Sequence, residues 1–447
     1  MKDLKHRAIR GGIAKIGSQI ANLLIRTGSL MVLARLLSPK DFGLVGMVTA
    51  ITGIFGVFRD FGLSAAAVQR AEITQQQSST LFWINLFVGI LLGLLALSLA
   101  PFIVALYHEP RLFGIAAVLA SAFVFNAAGV QHLALLERQM RFTTLAVIDV
   151  FALTLSAAIA MVMAIRGFGY WALVTNATVV PLLSTLSVWL CVRWIPARPR
   201  ARVGIRSLMS FGGTITLNGL IMYLASNVDK ILVGRYWGVY AIGIYGRSYQ
   251  LVNIPIENLN SSAGSVAFAG LSRLQNEPKR LRSYFLKGYS LVMSATIPIA
   301  CGCMLFANDI IGVCLGPKWK DAAAIFRIMA PAIVAFAAIS PLGWLLNSMG
   351  LVKRGLHIAI VLGPAMVTSY LIGIAFGPVA VAVAYTCVVL TSIIPVAIWA
   401  TRGTPVSVRD IVQTISRPLI SAVVSPRLYS DCSFFMGLSF LHCPGSC

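Results

Sequence analysis

The sequence predicts an all-α polytopic membrane protein of about 12 transmembrane helices in two pseudo-symmetric six-helix lobes, followed by a region that reads as a truncated helix 13–14 pair. Three observations predict it: a composition too apolar for a water-facing surface, a series of helix-length apolar segments, and a repeat between the two halves. Hydrophobic residues are 58% of the 447 and charged residues only 11%, at a mean hydropathy of +0.85. A soluble domain ordinarily carries roughly a quarter of its residues as charges.

The apolar segments run, in order, over 16–37, 42–60, 80–106, 112–136, 143–165, 169–192, 208–234, 240–266, 284–307, 322–349, 356–376 and 377–400. Each is long enough to cross a hydrocarbon core of about 30 Å. Backbone polar groups in lipid must be satisfied within the segment, which selects helices. The segments are too continuous for barrel strands, which alternate at period two.

In a soluble protein the net charge of +22 would suggest nucleic acid; its placement here argues otherwise. Lys2, Lys5, Arg7, Arg10 and Lys15 precede the first segment. Arg138 and Arg141 follow the fourth, and Arg193, Arg198, Arg200, Arg202 and Arg206 follow the sixth. Arg273, Lys279, Arg280, Arg282 and Lys287 follow the eighth, Lys353 and Arg354 the tenth, and Arg402 and Arg409 the twelfth. The intervening turns hold few cations. Apart from the loop after segment two, where Glu72 partly offsets Arg70, the even-numbered loops are the basic ones. The positive-inside rule then places the N-terminus and the stretch after segment twelve in the cytoplasm of a cell whose inner membrane the chain crosses many times. Excess cations there are expected to hold anionic membrane lipids. The basic N-terminal stretch lacks a small-residue cleavage site behind a short apolar core, so it reads as an uncleaved lead-in.

A repeat relates the halves. Residues 34–46, from Ala34-Arg35-Leu36 to Gly46, align with residues 234–246, from Gly234-Arg235-Tyr236 to Gly246. Arg35, Gly43 and Gly46 fall on Arg235, Gly243 and Gly246 at a constant offset of 200. Gly12 likewise falls on Gly212, and Glu109-Pro110 before segment four resembles Gly316-Pro317 before segment ten. An even helix count returns the chain to the same side, so the lobes are parallel repeats about an axis along the membrane normal. Such a repeat implies a cavity between lobes and alternating access by rocking. The domain boundaries expected from it are 1–206 for the first lobe with its basic linker, 207–400 for the second lobe, and 401–447 for a cytoplasmic segment and atypical tail.

Polar side chains inside apolar helices are costly unless paired or facing water. Segment one carries Lys15, Ser18, Asn22, Arg26 and Ser29 at three- and four-residue steps, along one face. Segment seven carries Thr214, Asn218, Ser226 and Asp229, and segment two carries Thr49, Thr52, Arg59 and Asp60. Segment eight is the most polar, with Arg247, Gln250, Asn253, Glu257, Asn260 and Ser261. The candidate cavity residues are Asn22, Arg26, Arg59, Asn218, Arg247, Gln250 and Asn253; Asp229 and Glu257 are the candidates for coupling to a proton or sodium ion. Plainer readings stand beside these. Arg59-Asp60 reads equally as a structural ion pair, Lys230 as a snorkelling cation, and Asp149 as an acid facing the basic loop before it. No catalytic residue, metal site or cofactor is expected. There is no D-x-D, H-E-x-x-H or phosphate-binding glycine loop, and Cys301-Gly-Cys303 has no histidine or acid nearby.

Several stretches carry a family resemblance: Leu36-Leu37-Ser38-Pro39-Lys40-Asp41-Phe42-Gly43; residues 61–70 from Phe61-Gly62-Leu63; Leu135-Leu136-Glu137-Arg138-Gln139-Met140-Arg141-Phe142; Gly167-Phe168-Gly169-Tyr170-Trp171; and Asn227-Val228-Asp229-Lys230 with Ile242-Gly243-Ile244-Tyr245. Over residues 1–424 the chain resembles the Wzx-type polysaccharide and O-antigen flippases of the multidrug/oligosaccharidyl-lipid/polysaccharide exporter superfamily. The resemblance implies a V-shaped transporter, and not an enzyme. It would move an undecaprenyl-pyrophosphate-linked oligosaccharide from the cytoplasmic to the periplasmic leaflet, with a polysaccharide polymerase and chain-length machinery as partners. A basic cavity suits a pyrophosphate. A drug/cation antiporter or a lipid II flippase of the same superfamily is the alternative, and a drug cavity would be more acidic and aromatic. The tail departs from the pattern. After Val424 the chain turns to Ser425-Pro426-Arg427 and ends in a segment holding Cys432, Cys443 and Cys447, which reads as a frameshift or truncation near residue 425.

Overall fold

The structure is a computed structural model that describes residues 2–58, 75–198, 220–221 and 223–416. Arg59, Asp60, the 61–70 stretch, Asn218 and the atypical tail lie outside the described residues. The helices are α1 (Lys2–Leu36), α2 (Pro39–Thr52), α3 (Ile54–Phe58), α4 (Gln75–Ser98), α5 (Ala100–Tyr107), α6 (Leu112–Arg138), α7 (Phe142–Ile165), α8 (Tyr170–Val192), α9 (Val228–Arg273), α10 (Pro278–Leu305), α11 (Ala307–Cys314), α12 (Ala322–Met329), α13 (Pro331–Ser348), α14 (Val352–Gly373) and α15 (Pro378–Thr401). The protein is an all-α polytopic membrane protein.

Local chemistry sets the boundaries. Helix α2 starts at Pro39, ahead of the apolar run, because Ser38 and Asp41 form a reciprocal capping box. The Ser38 amide donates to Asp41 Oδ2 at 2.9 Å and the Asp41 amide to Ser38 Oγ at 3.3 Å, with proline at the first helical position, where no amide donor is needed. Segments seven and eight merge into α9, interrupted at Gly238 with φ 79° and ψ −174°, a conformation only glycine adopts at little cost. Segments three and ten are each split just before a proline-containing turn, at Ala100-Pro101 and Ala330-Pro331.

Eight described helical stretches are long and apolar enough to span a membrane: Gln75–Tyr107, Leu112–Arg138, Phe142–Ile165, Tyr170–Val192, Pro278–Leu305, Ala322–Ser348, Lys353–Phe376 and Pro378–Thr401. They correspond to segments three to six and nine to twelve. Segments one and eight carry polar stripes that lower their hydropathy, and segments two and seven lie partly outside the described residues.

The chain divides into two compact units, residues 1–246 with 311–321, and residues 247–310 with 322–447. In the first, α4 packs on α6, α6 on α8, α8 on α7 and α7 on α1. Small residues let the axes approach: the Gly89 position faces Ala127 and the Phe123 carbonyl, and Gly93 faces the Ala120 carbonyl. In the second unit α10 packs on α13, α13 on α15 and α15 on α14. Segments three-four, four-six and five-six thus pair as nine-ten, ten-twelve and eleven-twelve do, so the repeat extends to packing.

Aromatic side chains tie the start of the basic linker to the first unit. Buried His132 stacks on Trp189 at 4.5 Å, and its Nε2 lies 3.1 Å from the Trp194 carbonyl oxygen. Trp83 Nε1 donates to the Ala197 carbonyl at 2.9 Å, and the Ala197 amide donates to Ser79 Oγ at 3.0 Å. In the second unit the core of Leu281, Phe285, Met293, Leu345 and Ala400 continues to Ile411, so the arm that follows α15 is part of the packing.

That arm is held by charge. Asp410 accepts from Arg282 Nε at 2.9 Å and Nη2 at 2.6 Å, and forms a second reciprocal cap with Ser407. The Arg282 guanidinium holds the Asp410 carboxyl well below the usual carboxylate range. A depressed folded-state pKa contributes stability that is present above the unfolded value, about 4, and is lost as pH falls through the folded value. Amide exchange across 405–416 is therefore expected to be slow at pH 7 and to show greater opening under acidification below about pH 4. Asp410→Asn is expected to open the arm already at pH 7; equal protection in variant and wild type would contradict the assignment.

Candidate functional site

The predicted cavity residues divide between the two units. Asn22, Arg26 and Asp229 belong to the first; Arg247, Gln250, Asn253 and Glu257 belong to the second. Arg59 and Asn218 lie outside the described residues.

On α1, Arg26 is exposed and Asn22 half-buried, one turn apart. Helix α1 lies along α7, and Asp149 of α7 sits in the field of Arg26. A mid-helix arginine in lipid needs a counter-charge or water, and Asp149 is an acid on the neighbouring helix close enough to interact with it. This acid was read from the sequence as facing the basic loop; the signal that could have found its role is that α7 has no other acid. Asn22 Oδ1 is buried without a hydrogen-bond partner among the described residues.

Thr49 and Thr52 on α2 return their hydroxyls to the Val45 and Val48 carbonyls at 2.9 Å, the ordinary way a helix satisfies a threonine. They still wall a cavity of about 200 Å³ with Gly53, Phe123 and Asn126. Beside it the Tyr223 hydroxyl donates to the Thr49 and Ala50 carbonyl oxygens at 3.1 and 3.0 Å, fixing segment seven to segment two.

The repeated glycines meet one another. A Cβ at Gly43 would lie 1.9 Å from the Val239 carbonyl oxygen, and a Cβ at Gly243 would lie 2.0 Å from the Pro39 carbonyl oxygen. The offset of 200 relates 39 to 239 and 43 to 243, so this is one contact made twice, as a two-fold relation between the helix starts demands. The turn after α11 reaches the same place. Trp319, wholly buried, donates from Nε1 to the Ala34 carbonyl at 2.9 Å and meets Phe42 edge-on at 5.2 Å. Arg35 Nη2 donates to the Val313 carbonyl at 2.8 Å.

Asp229 is fully buried. Its Oδ2 accepts from the Tyr245 hydroxyl at 2.8 Å, while Oδ1 has no hydrogen-bond partner among the described residues. The next residue, Lys230, turns its ammonium to Asn227 Oδ1 at 2.8 Å and the Ser226 carbonyl at 3.1 Å, a local tether in place of snorkelling. In the second unit the stripe on α9 is bonded in pairs between Arg247 and Glu257. Arg247 Nη1 donates to Gln250 Oε1, and Asn253 Nδ2 donates to Glu257 Oε1 at 3.3 Å. Gln250 and Glu257 are exposed. The first unit thus carries Arg26 one turn from Asn22, with Asp229 buried, and the second carries Arg247 bonded to Gln250 with Glu257 exposed beyond it; arginines of this kind can hold anions. Among the described residues no cluster of three metal-ligating side chains exists.

Residues 32–324 match the family described as polysaccharide biosynthesis protein. The chain belongs to that family. The chain is 29% identical over 293 residues to the teichuronic acid biosynthesis protein TuaB of Bacillus subtilis (strain 168), a match that covers 65% of this chain and 61% of TuaB. It is 25% identical over 351 residues to the lipopolysaccharide biosynthesis protein WzxC of Escherichia coli (strain K12), covering 77% of this chain and 70% of WzxC. The chain thus spans less than two thirds of TuaB. Its fold is that of the lipid II flippase MurJ in an inward closed conformation, with a TM-score of 0.73 at 14% identity over 93% of this chain and 92% of that one.

Proposed function

We propose that the chain is a secondary transporter, not an enzyme, that flips an undecaprenyl-pyrophosphate-linked oligosaccharide repeat unit from the cytoplasmic to the periplasmic leaflet of a bacterial inner membrane. The observation that carries this reading is the family match over residues 32–324, and the flippase-like fold supports it. The chemistry agrees: each unit carries an arginine near an amide, Arg26 one turn from Asn22 and Arg247 bonded to Gln250, and arginine is suited to a diphosphate.

In this reading the two lobes of the 200-residue repeat, 1–206 and 207–400, rock about the membrane normal, with the N-terminus in the cytoplasm. Arg26 and Arg247 receive the diphosphate, and the lipid tail stays in the bilayer. Asp229 and Glu257 are the coupling acids. Asp229→Asn keeps an acceptor for Tyr245 while removing the titrating group. Export indifferent to both Asp229→Asn and Glu257→Gln would remove these acids from the mechanism.

The test is lipid-linked oligosaccharide, measured by mass spectrometry in a deletion strain complemented with wild type or Arg26→Ala. Complete repeat units are expected to accumulate in the deletion strain as extracellular polymer disappears. Wild type restores export, and Arg26→Ala, present at wild-type level in the membrane, restores roughly a tenth or less, the equivalent of about 1.4 kcal/mol or more of lost interaction. An unchanged lipid-linked pool with unchanged polymer would contradict the reading.

A further inference from the structure

A second site stands at the basic end of α10, within the second unit and away from the polar stripe of α9. Helix α10 has 28 residues. At 1.5 Å per residue it exceeds the hydrocarbon core, which about 20 residues cross. Its apolar run occupies the C-terminal part, so the first two turns, with Lys279 and Arg282, emerge at headgroup depth, and Lys287 sits at the boundary. Lys279, Ser283, Lys287 and Ser290 recur at steps of four, four and three, which puts them on one helical face.

This face forms one wall of a groove of about 960 Å³ whose other wall is the arm after α15, with Gln413 and Thr414. The groove's charge is decided by pairing. Asp410, its acid, is engaged by both Arg282 nitrogens and by the Ser407 amide, so acid and arginine cancel. Lys279 and Lys287 are exposed, and among the described residues neither ammonium has a hydrogen-bond or ion-pair partner. Two cations thus face the groove with hydroxyl and amide donors beside them.

We propose that this groove binds the phosphate headgroup of an anionic phospholipid of the surrounding leaflet, with Lys279 and Lys287 on the phosphate and Ser283 and Gln413 donating to its oxygens. Basic pockets beside transmembrane helices bind such headgroups. The bound lipid would join α10 to the arm, supplementing the Arg282–Asp410 pair. The proposal does not depend on what the protein transports.

The experiment is native mass spectrometry of the full chain purified from mixed phosphatidylcholine and phosphatidylglycerol, followed through graded delipidation. Wild type is expected to keep one phosphatidylglycerol after phosphatidylcholine is gone. Lys279→Ala/Lys287→Ala is expected to keep roughly thirtyfold less, the loss of two phosphate contacts. Arg141→Ala/Arg198→Ala, which removes the same charge elsewhere at the basic end, should match wild type, and the three proteins should melt alike in phosphatidylcholine alone. Retention unchanged in the lysine variant would overturn the proposal. So would displacement by millimolar inorganic phosphate, which marks a small-anion site, or preferential retention of an undecaprenyl-linked diphosphate, which marks a transport site.

Discussion

Gly243→Ala is expected to yield little folded protein, although it adds a single methyl group. The added carbon would lie 2.0 Å from the Pro39 carbonyl oxygen, 2.8 Å from its carbon and 3.3 Å from the Gly43 amide nitrogen. All three are backbone atoms at the capped start of α2 and cannot swing aside as a side chain would. Overpacking a core ordinarily costs about 1–3 kcal/mol, and more where backbone must move. The same holds for Gly43→Ala, which meets the Val239 carbonyl. Because the two positions share one interface, the double variant is expected to cost less than the sum of the singles. Gly246→Ala is the control, three residues along the same helix with open space around it. Size-exclusion profiles of fluorescently tagged variants in mild detergent read the outcome. A monodisperse Gly243→Ala peak at wild-type height would mean that the helix starts do not cross as described.

Trp319→Ala is the second large effect. The indole is wholly buried, packs edge-on against Phe42 and donates to the Ala34 carbonyl at 2.9 Å. Truncating a buried tryptophan costs about 3–5 kcal/mol, and the Ala34 carbonyl loses its donor as well. Trp319→Phe should recover most of the packing and leave a deficit of about 1 kcal/mol from the missing hydrogen bond. Arg35→Ala removes an exposed contact to the Val313 carbonyl and should cost far less. Thermal melting of the three variants in one detergent ranks them; Trp319→Ala melting with Arg35→Ala would contradict the buried assignment.

These two sites show what the sequence carried and what it withheld. The apolar segments were legible because lipid imposes one length and one secondary structure. The repeat was legible because Gly43 and Gly243 stand at a fixed offset, and the same offset relates the backbone each one touches. Helix starts were less legible: the apolar run suggested 42 for segment two, but Ser38, Pro39 and Asp41 start it at Pro39. The helix at Ala307–Cys314 was read as part of a turn, since eight residues cannot announce a span. Side-chain partners were hidden most. Arg26 and Asp229 stood out as charges in apolar helices, yet the nearby acid of the one, Asp149, and the hydrogen-bond donor of the other, Tyr245, depend on which faces meet. The hydrogen bond that Trp319 donates to the Ala34 carbonyl joins residues 285 apart in the chain, a pairing that no local pattern announces.

Leaflet transfer itself tests the central claim most directly. Proteoliposomes holding the purified chain and an undecaprenyl-pyrophosphate-linked repeat unit would be treated with a membrane-impermeant oxidant of sugar diols. With wild type, the account predicts that oxidation reaches the whole lipid-linked pool, because inner-leaflet molecules are brought outward. Oxidation that stops at the outer-leaflet pool, as in protein-free vesicles and under every ion gradient applied, would contradict it.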